Sequence, residues 1–398
     1  VRSRERHRSR AVAHQFADSR LTSHQGDEDS GEKRIDMTES SNRNTVDERL
    51  RRVLATHLDP KGGSQFWLAR AAALTFDPRD EIHCMDDLPM LGVTNAKDLA
   101  AHPLEDFLPA SVRERASELV VAQTGGTMGH PVWTAYLPSE FHEAFVEPFV
   151  AAAKHVGFPQ GGRWLYIGPS GPHIIARAAE AIARAGGSMT PFMVDFDSRW
   201  ARKLSAESFA AKRYLTHVVE QAMAVIDMQS VDTLFTTPAV LRVLAEAMTP
   251  SQRGAIRGVH YGGMAIDPVE LHAFQSTHFQ NAVHLAGYGN TLFGCCLELD
   301  AAPGRDLRYY PLGDRLVFGI LSSGDVQKAA PRYDVQGEAG RVVFSRFDES
   351  VLLINVLERD EGNLIAPPHD APEGFHLHGV SAPQPCHEQT PEGITSLY

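Results

Sequence analysis

The sequence predicts an α/β fold, and three observations carry the prediction. Strand-like and helical runs alternate between residues 164 and 290, most of these strand-like runs end in glycine-rich turns, and beyond Leu297 strands and turns alone continue. The first pattern is that of consecutive βαβ units, and the last marks a smaller β-rich portion. With 398 residues, 43% hydrophobic and 22% charged, the chain suits one large domain or two ordinary ones with a real core.

Residues 1–36 alternate Arg2, Arg4, Arg6, Arg8 and Arg10 before the acidic Asp27-Glu28-Asp29, and hold too few apolar residues for a core. Residues 1–44 are therefore expected to be a disordered extension, with Met37 the expected natural start. The spacing of Val46, Leu50, Val53 and Leu54 predicts a helix from Thr45 to His57, and Trp67 to Leu74 predicts a second. Thr94 or Asn95 is placed to cap a short helix, and Ser111 another that runs toward the glycine-rich stretch near 125. Ser139 is expected to cap a helix carrying Phe141, Phe145 and Phe149, bent at Pro148.

The alternation then becomes regular. Trp164 to Ile167 reads as a strand, Gly168 to Pro172 as a turn, and Ile174 to Ala185 as a helix stopped by Gly186-Gly187, before a strand from Met189 to Val194. Thr233 to Thr236 is a further strand, with Thr237-Pro238 opening a helix to Met248. Ile256 to Tyr261 follows, ending in Gly262-Gly263, and Asp267-Pro268 caps the next helix. Val283 to Ala286 leads into Gly287-Tyr288-Gly289-Asn290-Thr291. In open α/β sheets ligands gather at such carboxyl ends, so several of these loops are expected to converge. Strands from Arg315 to Leu321, Gly340 to Phe344 and Val351 to Val356 make the β-rich portion. The expected division is an α/β core over 45–300, a β-rich subdomain over 301–360, and an acidic extended tail over 361–398, which lacks lysine and arginine.

Charge and composition narrow the partners. The formal net charge of -12 and pI of about 5.9 disfavour nucleic acid and anionic membrane, so small molecules are the expected partners. Cys84, Cys295, Cys296 and Cys386 have no CxxC spacing, and no apolar run has the length of a membrane span or a signal-peptide core. A cytoplasmic enzyme is the expectation.

The stretch with the most chemistry is Thr124-Gly125-Gly126-Thr127-Met128-Gly129-His130-Pro131. Its glycines bare the backbone N–H groups and its threonines add hydroxyls, as a loop that wraps phosphate requires. It is neither a lysine-containing P-loop nor a dinucleotide fingerprint, because His130-Pro131 and the strand-like Val132 to Tyr136 follow instead of a helix. A ligand-free hairpin turn is the plain alternative.

Taken with Tyr261-Gly262-Gly263-Met264, Tyr288-Gly289-Asn290-Thr291 and Glu358-Arg359-Asp360, in that order, the loop resembles the phosphate loop of the adenylate-forming superfamily of acyl-CoA synthetases, adenylation domains and luciferases. The resemblance covers about Thr45 to Asp360. It is closest to the phenylacetate-CoA ligase branch, and within it to phenazine-biosynthesis proteins that activate a carboxylate, through the run Trp164 to His173. It implies a large N-terminal domain of stacked mixed β-sheets and helices, and ATP with Mg2+ as cofactors. It implies that a small, aromatic carboxylic acid is activated as an acyl-adenylate for ester, amide or thioester formation in a secondary-metabolite pathway. Thr124, Gly125, Gly126, Thr127 and Gly129 would hold phosphate, Gly262 and Gly263 would leave room for adenine, and Tyr288, Gly289 and Thr291 would flank it. Asp360 would accept the ribose hydroxyls. Thr124, Thr127 and His173 are the expected catalytic groups, His173 lining the acyl pocket or acting as a proton acceptor, with a capping or packing histidine as the plain alternative. The family's acidic magnesium-holding residue is Leu292 here, so no metal-ligating residue is expected. The last lysine is Lys328 and the last arginine Arg359, so a C-terminal lid domain of about a hundred residues with its lysine is expected to be absent. Two alternatives stand beside this reading: a non-catalytic nucleotide- or acyl-binding relative, and acyl transfer to Cys386 of the Cys386-His387 pair. An acyl acceptor or partner protein and a homodimer are expectations by analogy with short relatives.

Overall fold

The computed structural model describes residues 28–126, 131–205, 208–264, 266, 268–299, 306–322, 330–333 and 339–386. Of the predicted positions, Thr127, Gly129, Asp267, Lys328 and His387 lie outside the described residues. Helix α1 spans Glu28–His57, so the stretch read as an unstructured extension is helical from Glu28 onward. From Val46 its apolar face, Val46, Leu50, Val53 and Leu54, is buried as the spacing predicts.

Three sheets follow. The first is a ribbon of β1 (Val120–Gln123) and β2 (Trp133–Tyr136), antiparallel, with Gln123 opposite Trp133. The second has six strands, β3 (Trp164–Gly168), β4 (Phe192–Asp195), β5 (Thr233–Thr236), β6 (Gly258–Tyr261), β7 (Val283–Asn290) and β8 (Gly294–Leu297), in the order β4-β3-β5-β6-β7-β8. The first five are parallel, and β8 returns antiparallel from β7 through a tight turn. Parallel order with helices between strands aligns the carboxyl ends of β3 to β7 on one side of the sheet. The alternation read from 164 to 290 is thus the real organisation of the sheet.

Each connecting helix has a local cause. Thr237 caps the Pro238–Ala247 helix, accepting from the Val240 N–H at 3.4 Å, and Gly186 ends the Ile175–Ala185 helix. The helix of Phe209–Met228, capped by Ser208, lies in a stretch for which the sequence reading predicts no element. Before β3, Ser139 does not cap. Leu137 is the N-cap, its N–H donating to Glu140 Oε2 at 2.8 Å. The expected bend at Pro148 takes the form of a π-helical turn over His142–Val146 just before it. A proline lacks the N–H and crowds the preceding turn, which a widened turn relieves.

The third sheet has the order β10-β11-β12-β13-β9, with β9 (Arg308–Tyr309), β10 (Leu316–Ser322), β11 (Ala339–Phe347), β12 (Leu352–Ile365) and β13 (Gly379–Pro385). The stretch from 361 read as an extended tail is instead built into this sheet. β12 runs nine residues past the expected end at Val356, and β13 pairs Val380 with Leu364 and Pro385 with Asp360. Pro383 and Pro385 argue against a strand, but β9 pairs only with Val380 and Ser381, so both prolines fall on a free edge where they are tolerated.

A buried ionic cluster joins the first and third sheets. Arg346, fully buried, donates to Thr134 Oγ1 and the Leu292 carbonyl at 2.9 Å each and to the Ala135 carbonyl at 2.7 Å. Its guanidinium lies 3.7 Å from the Tyr136 ring centroid. Burial alone would raise the Asp348 carboxyl, but Arg315 at 2.6 Å and Arg346 at 2.5 Å hold it down at about 2. The cluster fixes β2, into which the glycine-rich loop runs, and the β7–β8 turn.

Candidate active site

The glycine-rich loop is closed at its base by its own first residue. The Thr124 N–H donates to the Val132 carbonyl and the Val132 N–H to Thr124 Oγ1, both at 2.9 Å. That leaves the Thr124 hydroxyl proton as the group able to meet an anion. Gly126 has φ +75°, a conformation glycine adopts without steric cost. The Gln123 N–H donates to the Pro172 carbonyl at 2.8 Å, which docks the ribbon on the turn after β3. The Ser170 N–H in that turn donates to Asp195 Oδ1 at 2.7 Å at the end of β4.

The chain after β4 supplies cations. Asp197 caps a one-turn helix, Ser198–Ala201, accepting from the N–H groups of Arg199 at 2.9 Å and Trp200 at 3.0 Å. This turn aims Arg199 at Gln123 Oε1 and Arg202 at the Gly125 carbonyl. A Cβ on Gly125 would lie 3.0 Å from Arg202 Nη1, so a side chain there would press the guanidinium back from the loop. His173 is buried, with Nε2 3.4 Å from Ser198 Oγ. Burial and then the Arg199 and Arg202 charges push its imidazole down to about 4, so it is neutral at ordinary pH.

These groups border a cavity of about 190 Å³ at the carboxyl ends of the parallel strands. Thr124, Gly125, Gly126, Arg202 and His173 line one part, and Tyr288, Gly289, Thr291, Glu358, Arg359 and Asp360 another. The Tyr288 hydroxyl donates to Asp360 Oδ2 at 3.1 Å, while its ring packs among Phe293, Tyr309 and Phe318. Among the described residues the buried Asp360 Oδ1 accepts no hydrogen bond, and Arg359 Nε meets it as an ion pair at 3.4 Å. Burial raises the Asp360 carboxyl, and burial together with Asp360 raises that of Glu358. A buried acceptor of this kind is satisfied by hydroxyl donors such as a vicinal diol.

Gly263 borders the cavity from the end of β6, next to Gly262. A Cβ on Gly262 would meet the Gly287 carbonyl at 2.7 Å, and Gly263 has φ +79°. The turn after β7 is shaped by Asn290, whose Oδ1 accepts from the N–H groups of Leu292 at 2.8 Å and Phe293 at 3.1 Å, and whose amide donates to Glu358 Oε2. Tyr136 secures the same turn, its hydroxyl donating to the Thr291 carbonyl at 2.8 Å. Leu292 is buried, and among the described residues no group of three His, Cys, Asp or Glu side chains is placed to hold a metal ion.

A second pocket of about 60 Å³ opens from the same strand ends, sharing Gly263, Gly287, Gly289, Asn290 and Thr291 with the cavity. Phe145, Tyr166, Ile174, Phe235, His260 and Cys295 give it apolar and aromatic walls. Burial pushes the Cys295 thiol up to about 12, so this wall stays neutral.

No protein-family model matches this chain, and no curated protein does. Among solved structures, 2-hydroxyisobutyryl-CoA ligase with 2-HIB-AMP and CoA in the thioesterification state superposes with a TM-score of 0.60 at 15% identity, over 86% of this chain and 67% of that one. The fold is that of the large N-terminal domain of an adenylate-forming ligase. An open conformation of the same ligase gives 0.59 at 15% identity, over 85% and 73% of the two chains. Its postadenylation state with 2-HIB-AMP gives 0.62 at 14%, over 88% and 68%.

Thr124, Gly125, Gly126, His173, Gly263, Tyr288, Gly289, Thr291 and Asp360 all border the larger cavity, while Gly262 borders the smaller. Cys386 does not join them. It is buried at the end of β13 with Sγ 3.3 Å from Glu361 Oε1. Arg202 and Arg346 are missing from the sequence reading, which names Asn290 and Tyr136 within their segments but gives them no role of their own. Ser198 to Lys203, with three basic residues in an acidic chain just beyond a strand's carboxyl end, was the available signal for Arg202. Nothing local marks Tyr136 or Arg346, whose partners lie far away in sequence. No helix among the described residues is long and apolar enough to cross a membrane.

Proposed function

We propose that this protein activates a small carboxylic acid with ATP, forming an acyl-adenylate and pyrophosphate. The observation that carries the reading is the meeting of two unlike pockets on the β7 end: an apolar one, and a polar one with a phosphate-type loop at one part and an unsatisfied buried carboxylate oxygen at another. In the reaction a carboxylate oxygen of the acid attacks the α-phosphorus, a new O–P bond forms, and the bond to pyrophosphate breaks. The acid and the nucleotide are both anions, so they need positioning and neutralisation.

Each requirement has a residue. The Thr124 hydroxyl and the loop N–H groups donate to phosphate oxygens, with Thr127 and Gly129 completing the loop. Arg202 supplies fixed positive charge beside it. Asp360, steadied by Tyr288, accepts the ribose hydroxyls, and Gly262 and Gly263 leave space for the base. Neutral His173 orients the acid's carboxylate near the loop rather than carrying charge. Magnesium would arrive bound to the ATP phosphates, as it commonly does, and would neutralise phosphate charge. Phe145, Tyr166 and Phe235 suit a flat apolar acyl group, in keeping with an aromatic acid. The likeness of the Trp164 to His173 run to phenazine-biosynthesis proteins supports a role in ester, amide or thioester formation in secondary metabolism.

The test is pyrophosphate release by the full chain with ATP, magnesium and a panel of aryl and short aliphatic acids. Acid-dependent release that falls at least a hundredfold in Asp360→Ala is the expected result. Binding of acids and ATP without any pyrophosphate would assign a binding protein instead.

A further inference from the structure

The apolar pocket is lined by a buried histidine that the reaction does not use. His260, on β6, is 2% exposed, and Phe149 and Phe235 flank its ring at centroid distances of 4.9 and 4.3 Å. Its Nδ1 lies 2.8 Å from the Leu285 carbonyl on β7. A carbonyl oxygen only accepts, so Nδ1 carries the proton in this contact. Burial pushes the imidazole down to about 4, so the ring carries a single proton at neutral pH, and Nε2 is left as a bare acceptor.

Nε2 is on the Gly287 side of the ring. A Cβ placed on Gly287 would lie 3.0 Å from His260 Cε1 and 3.7 Å from Nε2, so the missing side chain leaves that edge open. His260 lines the small pocket, and Gly287 lines both pockets. Among the described residues no hydrogen bond reaches Nε2. Of the other polar side chains that line this pocket, Thr236 donates its hydroxyl to the Ile167 carbonyl at 2.8 Å, Thr237 Oγ1 accepts from the Val240 N–H, and the Asn290 amide is engaged at both ends by Glu358 and Leu292, so Nε2 is a ring acceptor left facing a group that enters among aromatic walls.

We infer that the acyl pocket selects acids carrying a hydrogen-bond donor, a hydroxyl or an N–H, that reaches His260 Nε2. The inference rests on the reading of the cavity as an acid-activating site. A pocket with a buried polar group discriminates strongly, because an analogue without the donor leaves that group unpaired in an apolar surround. A pocket of hydrocarbon alone separates such pairs weakly.

The experiment compares matched acids: benzoate with 3- and 4-hydroxybenzoate, butanoate with 3-hydroxybutanoate, and the corresponding methoxybenzoates, which accept but cannot donate. Each is scored by pyrophosphate release and, separately, by the shift it produces in the melting temperature. The expected result is at least one hydroxy acid preferred over its deoxy and methoxy partners by about 100-fold or more in kcat/KM. His260→Asn keeps a donor for the Leu285 carbonyl and removes the Nε2 acceptor, so it should reduce the ratio of hydroxy- to deoxy-acid kcat/KM to under about tenfold. His260→Gln, which can return an acceptor to the Nε2 position, should restore part of the preference; wild-type-like melting of both variants shows that they fold. Equal rates for hydroxy and deoxy acids would overturn the inference while leaving acid activation intact. If no acid releases pyrophosphate, the activation reading fails and melting shifts decide alone: shifts confined to donor-bearing acids and lost in His260→Asn support the pocket's selectivity, and equal or absent shifts overturn it.

Discussion

Arg202 shows how much one side chain changes the character of the site. Without it the polar cavity is lined by Asp306, Glu358 and Asp360 with Arg359 as its remaining arginine, a poor setting for a polyanion in a chain of net charge -12. With it, a guanidinium lies against the Gly125 backbone where phosphate would be gripped. Removing a preorganised charge donor from such a site typically costs two to three powers of ten in rate. Arg202→Gln is therefore expected to lower acid-dependent turnover about 100- to 1,000-fold in steady-state assays with ATP varied. Its melting temperature should stay within a few degrees of wild type, because Arg202 lines the cavity and lies outside the buried Arg346–Asp348 cluster. Turnover unchanged within about threefold would remove Arg202 from the phosphate site.

At the scale of elements, what could be read from the sequence was what short-range chemistry dictates. Trp164 to Ile167, Thr233 to Thr236 and the Thr237-Pro238 helix start are found where the β-branched and aromatic runs and the cap residues placed them. The glycine-rich loop lies between two strands, as Val132 to Tyr136 implied. The failures are places where distant partners decide. β13 contains two prolines and becomes a strand only because the long β12 offers it an edge. The helix of Phe209–Met228 buries Val218, Val219, Ala222 and Ile226 in its second half but leaves Phe209 85% and Met228 79% exposed, so its apolar stripe is short for its length. Asp360 falls beyond the expected strand end at Val356 and instead lies within β12, where pairing with β13 holds it beside Tyr288. The motifs thus supply residues that border one cavity, whereas the places of Arg202 and the Arg346 cluster depend on three-dimensional neighbours.

For the whole molecule, the buried histidines set the response to acid. His57, His260 and His284 are each pushed down to about 4 by burial, as is His173. The unfolded chain, with histidines near 6.5, binds their protons first, so their contribution to stability is complete above about pH 6.5 and declines as the pH falls toward 4. Each contributes a slope of up to about 1.4 kcal/mol per pH unit in that window. Asp47, Glu140, Glu358 and Asp360, whose carboxyls burial raises, act in the opposite direction, but unfolded carboxyls take up their protons mostly below pH 5.5, whereas the unfolded histidines, those matching the four held near 4 and the lowered His376 included, do so between pH 7.5 and 5.5. Melting curves at pH 7.5 and 5.5 should show a drop of roughly 5 °C or more at the lower pH. A flat or rising melting temperature would mean that these rings are not buried in the neutral form.

The central claim is that two pockets meeting at the end of β7 bring a carboxylate to the α-phosphorus of ATP. Acid-dependent exchange of labelled pyrophosphate into ATP tests it most directly, because exchange requires the adenylate to form and reverse on the protein without any acyl acceptor. The account predicts exchange with at least one small acid, reduced at least a hundredfold in Asp360→Ala. Acids that bind the folded protein and promote no exchange at any ATP concentration would contradict it.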